Sequence, residues 1–276
     1  MNPAIMRLKA KVKNLAAAKG IPAQTTLQCY ALERFLLRLS RTRYREMFVL
    51  KGGLLISSWV GLAVRTTMDM DGSLHGLSIN EENVKRFIAD IIAVQEDDGF
   101  ALEMKGLQEL QIREGDAGIR VSMLAKADPL AIPFTIDLTA GDLVVPKESL
   151  YEYATILGDA TISVLSYSIE TVLAEKLHST LSRGVLNTRM RDYYDIHTLL
   201  RLRPYDAQLL KEAVKVTFGH REFGFDRETA LKTLVDIARS TEISCLWESY
   251  RQKYAYAKDI ALEEALCSIR KMMDDL

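Results

Sequence analysis

The hydrophobic pattern changes its period near Phe100, and this change restricts the fold of the chain more than any other feature. Before this point, apolar residues recur every three or four positions, which predicts amphipathic helices over residues 6–19, 26–39 and 80–92. After it, apolar and polar residues alternate, which predicts strands over residues 100–112, 118–124 and 133–139. The helical period returns from about Ser163. Strands beside helical segments predict an α+β fold, in which a meandering sheet packs against helices.

The length of the chain allows one large domain or two smaller ones. It has 276 residues, whereas single domains usually have roughly 100 to 150. We expect N-terminal helices over residues 1–46 that pack on a core over residues 47–162. A mainly helical domain is expected over residues 163–276.

The charge balance excludes proteins that coat nucleic acid through bulk positive charge. The chain has 36 Lys+Arg against 37 Asp+Glu, a formal net charge of −1. A polyanionic partner must therefore meet a local basic patch. One dense cluster ends the second predicted helix and consists of Arg34, Arg38, Arg41, Arg43 and Arg45. Such a cluster is either a solvated helix face or a site for phosphates.

The cysteines and the lack of a long apolar segment indicate a cytoplasmic protein. Cys29, Cys245 and Cys267 are far apart and form no CxxC pair, so they predict neither a disulfide framework nor a zinc site. A reducing compartment is therefore expected. No stretch reaches the roughly 18 apolar residues of a membrane span, so no membrane partner is expected. The four histidines lack a metal-ligand spacing, and the motifs of serine hydrolases and P-loop enzymes are absent.

Two aspartates separated by one residue are the first candidates for chemistry. If residues 66–71 are extended, side chains alternate between faces, so Asp69 and Asp71 share one face. Met68 and Met70 then share the other. A divalent cation such as magnesium would turn the repulsion between the two carboxylates into binding. The alternative is a pair of solvated aspartates in a turn.

A glycine pair lies shortly before these aspartates. Gly52 and Gly53 follow the apolar run 48–50 and precede a helix predicted over residues 54–60. Glycines at such a turn let backbone N–H groups approach an anion, and a helix N-terminus favours negative charge. A triphosphate would suit this place. Alternatively, the glycines only make a turn.

A third acidic residue lies in the last predicted strand. Asp137 shares a face with Thr135 and Thr139, whereas the opposite face is apolar. Aspartate is disfavoured in strands, so its presence needs a reason. Either the strand is an edge strand facing water, or Asp137 joins Asp69 and Asp71 as a third carboxylate.

Two charged residues lie on mostly apolar helices of the second half. Lys176 could pair with Glu170 or Glu175, or extend to water. Asp195 could pair with Arg191 one turn before it. Neither residue has a defined chemical role from its pattern alone.

Five motifs together resemble the AbiEii/MenT-type nucleotidyltransferase toxins, which belong to the DNA polymerase β-like nucleotidyltransferase superfamily. The similarity runs in the family order over most of residues 48–200. It implies a polymerase β-like core with a mixed β-sheet, followed by a mainly helical domain. The motifs are LKGG (50–53), RTTMDMD (65–71), the strand with Asp137, EKL (175–177) and RDYYDI (191–196).

The resemblance implies a metal-dependent transfer of a nucleotide. Asp69 and Asp71 would hold Mg²⁺ on the triphosphate of an NTP. Asp137 would complete the metal site and could help to deprotonate an acceptor hydroxyl, which attacks the α-phosphate as pyrophosphate leaves.

The resemblance also implies roles around the triphosphate. Lys176 is similar to the family's essential lysine and would neutralise the triphosphate, with help from Arg65. Asp195 would orient Lys176 or the nucleotide. The phosphate turn would consist of Lys51, Gly52 and Gly53.

Two positions depart from the family pattern. The usual Gly-Ser is Gly-Gly here, so the serine hydroxyl is absent or is replaced by Ser57, Thr66 or Thr67. Gly72 follows the aspartate pair, where an apolar residue is common.

The acceptor and partners are also implied by the resemblance. RNA would receive the nucleotide, with the 3′ end of transfer RNA as the expected acceptor. The result would be growth arrest in a toxin–antitoxin or phage-defence system, counteracted by an AbiEi-like antitoxin. The cluster Arg34–Arg45 would meet RNA phosphates, and its binding would weaken with salt. A monomer is compatible with the sequence.

Two other hypotheses remain. The nucleotide could be transferred to a small molecule or to a protein hydroxyl, because a fold does not determine the acceptor. The protein could instead be a non-catalytic binding module whose acidic pair lies on the surface. Three carboxylates retained with the lysine argue against this last hypothesis, since a binding module has no need for mutually repelling acids.

Overall fold

A computed structural model describes residues 3–113, 116–141, 143–221 and 223–276. The chain divides into two compact units, Met1–Asp142 with Ser149–Ser166, and Leu143–Glu148 with Tyr167–Leu276. The first unit contains a seven-stranded mixed sheet, and the second is helical. The α+β fold expected from the sequence is confirmed. The functional division at residues 46 and 162 stays a prediction.

The first unit consists of four helices and the strands of the sheet. Its helices are α1 (Pro3–Lys19), α2 (Ala23–Ser40), α3 (Gly52–Val60) and α4 (Glu81–Ile92). Its strands are β1 (Phe48–Lys51), β2 (Asp69–Leu74), β3 (Ala101–Arg113), β4 (Asp116–Ala127), β5 (Leu130–Thr139), β6 (Ser149–Ala154) and β7 (Thr161–Ser166).

The helices of the second unit follow in an unbroken series. They are α5 (Ile169–Arg183), α6 (Met190–Leu202), α7 (Ala207–His220), α8 (Arg227–Arg239), α9 (Thr241–Lys253) and α10 (Leu262–Met273). None of the helices in the described ranges is both long enough and apolar enough to cross a membrane.

The sheet has the strand order β3-β4-β5-β2-β1-β7-β6. Strands β3, β4 and β5 form the expected antiparallel meander. Strand β2 then joins β5 in parallel and β1 in antiparallel orientation, and β1 is parallel to β7. Strands β2 and β5 therefore lie inside the sheet, with a partner on each side.

The two faces of β5 differ as the alternation predicts. Phe134, Ile136 and Leu138 are buried on one face, where Phe134 contacts the ring of Phe35 on α2. Burying each such side chain contributes roughly 1.5 to 3 kcal/mol. The other face carries Asp137, which is half-buried. Because β5 pairs with β4 and β2, the edge-strand interpretation of Asp137 is wrong.

Strand β7 corrects one expectation. Residues 163–166, expected to begin the helical half, belong to β7, which pairs with β1 and β6. Ile162 and Val164 alternate with exposed neighbours. Six residues are too few to distinguish this alternation from a helical period.

The helix caps agree better with the sequence. Asn80 accepts a hydrogen bond from the Asn83 N–H at 2.9 Å and caps α4, as predicted. Ser168 caps α5 in the same way through the Thr171 N–H. This cap fixes the start of the helix that carries Lys176.

Candidate active site

Three aspartates lie at neighbouring positions on one face of the sheet. Asp69 and Asp71 are two residues apart on β2 and share a face. In the parallel pairing of β2 with β5, Asp71 lies directly opposite Asp137. Cross-strand partners project to the same side of a sheet. The structure therefore brings the three carboxylates together, and the interpretation of Asp137 as their neighbour agrees with the register.

The extended segment begins later than expected. Strand β2 starts at Asp69, and Met68 lies outside it with 55% of its surface exposed. Met70 is buried. The expectation that both methionines share the inner face is therefore wrong for Met68.

Asp71 lies in an unfavourable position for a negative charge. Burial raises the pKa of its carboxyl to about 6, and the charges of Asp69 and Asp137 act in the same direction. Lys51 on the neighbouring strand and the Gly53 N–H, which donates to Asp71 Oδ2 at 3.3 Å, act against it. Lys51 therefore offsets only part of the effect of burial and of the neighbouring carboxylates on Asp71.

The glycine pair is constrained by two different side chains. Helix α3 begins at Gly52, two residues earlier than predicted. Gly52 has a φ of +64°, and a Cβ there would lie 2.0 Å from Asp71 Oδ2. A Cβ on Gly53 would lie 2.6 Å from Thr67 Oγ1. The absence of side chains thus lets the turn contact the β2 region closely.

Of the three residues proposed to replace the missing serine, Thr67 is the one whose hydroxyl contacts Asp69. Thr67 is buried, and its hydroxyl donates to Asp69 Oδ1 at 2.7 Å. The Ser57 hydroxyl donates instead to the Arg65 carbonyl. Thr66 contributes its carbonyl, which accepts from the Arg65 guanidinium. Thr67 therefore orients Asp69 beside Gly53.

The remaining residues expected at the phosphate turn have structural contacts. Lys51 is the register partner of Asp71, and its Nζ donates to Thr139 Oγ1 at 2.8 Å. Arg65 is 2% exposed and holds the segment before β2. Arg65 is therefore less accessible to a ligand than the sequence predicts.

Arg120 is a site residue that sequence reasoning missed. It lies on β4 opposite Asp137. Its Nε donates to Asp137 Oδ1 and its Nη2 to Asp137 Oδ2, both at 2.7 Å. The alternation of β4 gives the face of Arg120, but only the strand register shows its partner. The register is not readable from a single strand.

The donor types fit a hard divalent cation, although one carboxylate is already paired. Asp69 and Asp71 supply carboxylate oxygens and repel each other, which suits an ion such as magnesium. Asp137 directs both oxygens to Arg120. Among the described residues, no group of three or more His, Cys, Asp or Glu has metal-binding geometry.

In the second unit, Lys176 is held by two aspartates. Its Nζ lies 2.8 Å from Asp195 Oδ2 and 2.9 Å from Asp192 Oδ1. Lys176 is only 14% exposed, so it does not extend into water. Of its two expected partners, Glu175 pairs with Arg221.

Asp192 was missed, although it lies one turn before Asp195 on α6 and on the same face. The other expected partner of Lys176, Glu170, accepts from the Asp206 N–H. Asp195 is fully buried and Asp192 nearly so. The ammonium group is therefore fixed by two carboxylates of one helix.

A comparison with protein families shows which family the chain belongs to. The profile of the nucleotidyl transferase AbiEii toxin family, of type IV toxin–antitoxin systems, matches residues 34–266. The chain belongs to the AbiEii family. It is therefore a nucleotidyltransferase, as the motifs indicate, and the expected enzyme class is confirmed.

The fold of this AbiEii chain is similar to that of a solved structure. A crystal structure from Helicobacter pylori, assigned as a nucleotidyltransferase, is 16% identical, covers 92% of this chain and 95% of its own, and has a TM-score of 0.50. The structure of JHP933 from Helicobacter pylori is 17% identical, with coverages of 92% and 91% and a TM-score of 0.49. No curated protein sequence matches this AbiEii chain.

The basic cluster of this AbiEii chain is partly buried and paired with acids, and its contact with RNA stays a prediction. Arg34 and Arg38 are buried. Each of the five arginines has an acidic neighbour, and the pairs are Arg34–Asp159, Arg38–Asp98, Arg41–Glu96, Arg43–Asp90 and Arg45–Glu46. The five arginines form a basic cluster in the sequence, but each has an acidic partner that lies outside α2.

A groove of about 450 Å³ begins at Asp69 and extends over β5 and β4. Its polar side chains include Gln28, Ser122 and Thr135, and its apolar wall includes Phe134. Ser122 and Thr135 are register partners, as are Thr135 and Asp69. Part of the groove lining, Asp69, Thr135 and Ser122, therefore forms a row next to that of Asp71 and Asp137.

Proposed function

We propose that this AbiEii-family protein transfers a nucleoside monophosphate from an NTP to RNA in the cytoplasm, at the 3′ end of transfer RNA. Mg²⁺ is the metal and pyrophosphate is the leaving group. The observation that carries the proposal is the register that pairs Asp71 with Asp137, with Asp69 beside them. A binding module would gain nothing from three carboxylates at this spacing.

In this proposal Asp69 and Asp71 would hold the metal, Asp137 would complete the site, and Thr67 orients Asp69. Mg²⁺, when bound, neutralises the triphosphate and stabilises the charge that develops in the transfer. The close contact between Gly52 and Asp71 keeps the glycine turn, where the triphosphate would bind, near these carboxylates. The family motif assigns Lys176 a role in neutralising the triphosphate; within its own unit the ammonium is paired with Asp192 and Asp195.

The groove beside Asp69 supports an acceptor that is itself a nucleotide chain. In phosphoryl transfer the attacking and leaving oxygens are roughly in line. Strand β2 lies between β1, which leads into the glycine turn, and β5, which carries the groove. A triphosphate bound at the glycine turn would therefore keep the groove open for the acceptor. The acceptor oxygen forms its bond to the α-phosphorus as the bond to pyrophosphate breaks.

Asp137 is the proposed base of this reaction. Its carboxylate lies opposite Asp71 in the strand register and would accept the proton of the acceptor hydroxyl. An AbiEi-like antitoxin would counteract the resulting growth arrest.

RNA labelling tests the proposed function. The protein is incubated with each labelled NTP, Mg²⁺ and total RNA, and wild type is compared with Asp69→Ala and Lys176→Ala. Asp97→Ala and Lys232→Ala are matched controls, because both residues are exposed. We expect label in RNA from wild type and both controls, and none from the two site variants.

Other outcomes of this experiment are informative. Label in protein or small molecules would favour one of the other acceptors and sink the RNA proposal. No label with any acceptor would favour the non-catalytic hypothesis. Sequencing the labelled RNA tests the assignment to the transfer RNA 3′ end.

A further inference from the structure

The Arg120–Asp137 pair occupies the carboxylate that the proposed metal site needs. The guanidinium fork takes both oxygens of Asp137, each at 2.7 Å. A bidentate pair of this kind is among the stronger and more directional hydrogen-bonded contacts. Both carboxylate oxygens of Asp137 are therefore bound to the guanidinium, a cation that would compete with a metal ion.

Arg120 also lies within the field of the whole acidic cluster. Its hydrogen bonds to Asp137 raise the pKa of the guanidinium most, and the charges of Asp69 and Asp71 raise it further. The side chain is thus an internal counter-ion for three carboxylates. Lys51, on the other side of Asp71, is directed to Thr139.

The pair is placed where it can open. The Arg120 side chain is 41% exposed, whereas Asp137 is 16% exposed. Arg120 can turn into solvent without uncovering core, because its side chain lies on the polar face of the sheet. Asp137 cannot follow it, since β5 is held by β4 and β2. The two partners can therefore separate by movement of Arg120 alone.

We propose that Arg120 is a positioning residue that competes with the divalent cation for Asp137. Without nucleotide, the guanidinium holds Asp137 and keeps the metal site at two carboxylates. Asp137 would hold the divalent cation of a bound NTP once Arg120 released it, and the freed guanidinium would be available to a phosphate group. This inference rests on the proposed function, because it assumes that Asp69, Asp71 and Asp137 meet a metal.

The consequence is that metal binding depends on the nucleotide. A site of three carboxylates with no arginine would bind a divalent cation in the resting protein. A site with Arg120 in place binds it weakly until the triphosphate supplies further ligands. The arginine thus couples completion of the site to arrival of the substrate.

Binding of Mn²⁺ without nucleotide tests the proposal. Affinity is measured by the loss of the free Mn²⁺ paramagnetic resonance signal for wild type, Arg120→Gln, Arg120→Gln/Asp137→Asn and Asp69→Asn. Arg86→Gln is the matched control, since Arg86 is an exposed arginine paired with Glu82. Thermal unfolding of each variant checks that it is folded.

We expect Arg120→Gln to bind Mn²⁺ about ten-fold more tightly than wild type, because a competing charge is removed. The second substitution, Asp137→Asn, should cancel this gain. Arg86→Gln should bind as wild type does. A merely structural arginine would not produce a gain that depends on Asp137.

Equal Mn²⁺ affinity of wild type and Arg120→Gln would overturn the inference. If Asp69→Asn still lowers binding in that case, the metal site of the proposed function survives. If no variant binds Mn²⁺ in the absence of nucleotide, the inference fails. RNA labelling then decides separately whether the transfer reaction itself stands.

Discussion

At the scale of single residues, the glycine pair is determined by what lies opposite each glycine. Asp71 lies where a side chain on Gly52 would be, and Thr67 lies where a side chain on Gly53 would be. Glycine is therefore required at position 52 for two reasons. Its φ of +64° is unfavourable for other residues, and its Cβ would meet a carboxylate.

We expect Gly52→Ala to reduce nucleotidyl transfer by about 100-fold, because the methyl group displaces Asp71 from its position. The left-handed backbone should also cost roughly 1 to 2 kcal/mol of unfolding free energy. Initial rates of RNA labelling and urea unfolding measure the two effects.

Gly20→Ala is the control for this substitution. Gly20 has a φ of +66°, but no atom lies within 4 Å of a Cβ built there. Its variant should lose similar stability and keep full transfer activity. Wild-type activity in Gly52→Ala would contradict the role of the close contact with Asp71.

At the scale of secondary-structure elements, the arginines of α2 fasten the helix rather than offer a surface. Arg38 donates to both oxygens of Asp98 at 2.7 and 2.9 Å, and to the Phe100 carbonyl at 3.0 Å. These contacts join the end of α2 to the segment that leads into β3. Both side chains are less than one-tenth exposed.

We expect Arg38→Met to lower the free energy of unfolding by roughly 3 to 5 kcal/mol, because it leaves Asp98 as a buried charge without its partner. Urea unfolding measures this change. Arg45→Met, which removes an exposed arginine paired with Glu46, should change stability by less than about 0.5 kcal/mol. A stable Arg38→Met protein would show that the pair is not an anchor.

The elements also show what the sequence could predict and why. Alternation within one strand is a local property, so the common face of Asp69 and Asp71 and the inner face of β5 followed from the sequence. The register between strands is not local, so Arg120 remained hidden although Asp137 was a candidate. The same holds for the arginines of α2, because Asp98 and Asp159 are distant in sequence. Strand β7 was too short to show its period.

At the scale of the whole molecule, the unit that contains the sheet carries a buried acid between α2 and the turn after β6. Glu33 accepts hydrogen bonds from the Ile156 N–H at 2.8 Å and the Tyr153 hydroxyl at 3.1 Å. Burial raises the pKa of its carboxyl to about 8, with Asp159 raising it further and Arg34 opposing. The folded protein therefore retains this proton over a pH range in which the unfolded chain has lost it.

The sign of the pH effect follows from proton binding. Between the ordinary glutamate pKa of 4.5 and about 8, the folded state binds more protons than the unfolded state. Stability must then fall as pH rises through this range, on the order of 1 kcal/mol per pH unit.

We expect Glu33→Gln to remove this dependence. The difference in unfolding free energy, wild type minus variant, should decrease steadily when urea unfolding is measured at pH 5, 6.5 and 8. Glu46→Gln, at an exposed glutamate, should show a difference that does not change with pH. A constant difference for Glu33→Gln would mean that Glu33 titrates normally.

The parallel pairing of β2 with β5 has a consequence for the order of synthesis. Strand β2 leaves the ribosome early, but its partner follows only after β3 and β4 have been made. A chain that stops before Leu130 therefore carries Asp69 and Asp71 without the strand that supplies Asp137. The helix with Lys176 comes later still. Translation itself thus delays assembly of the acidic cluster, and prematurely terminated chains cannot form it.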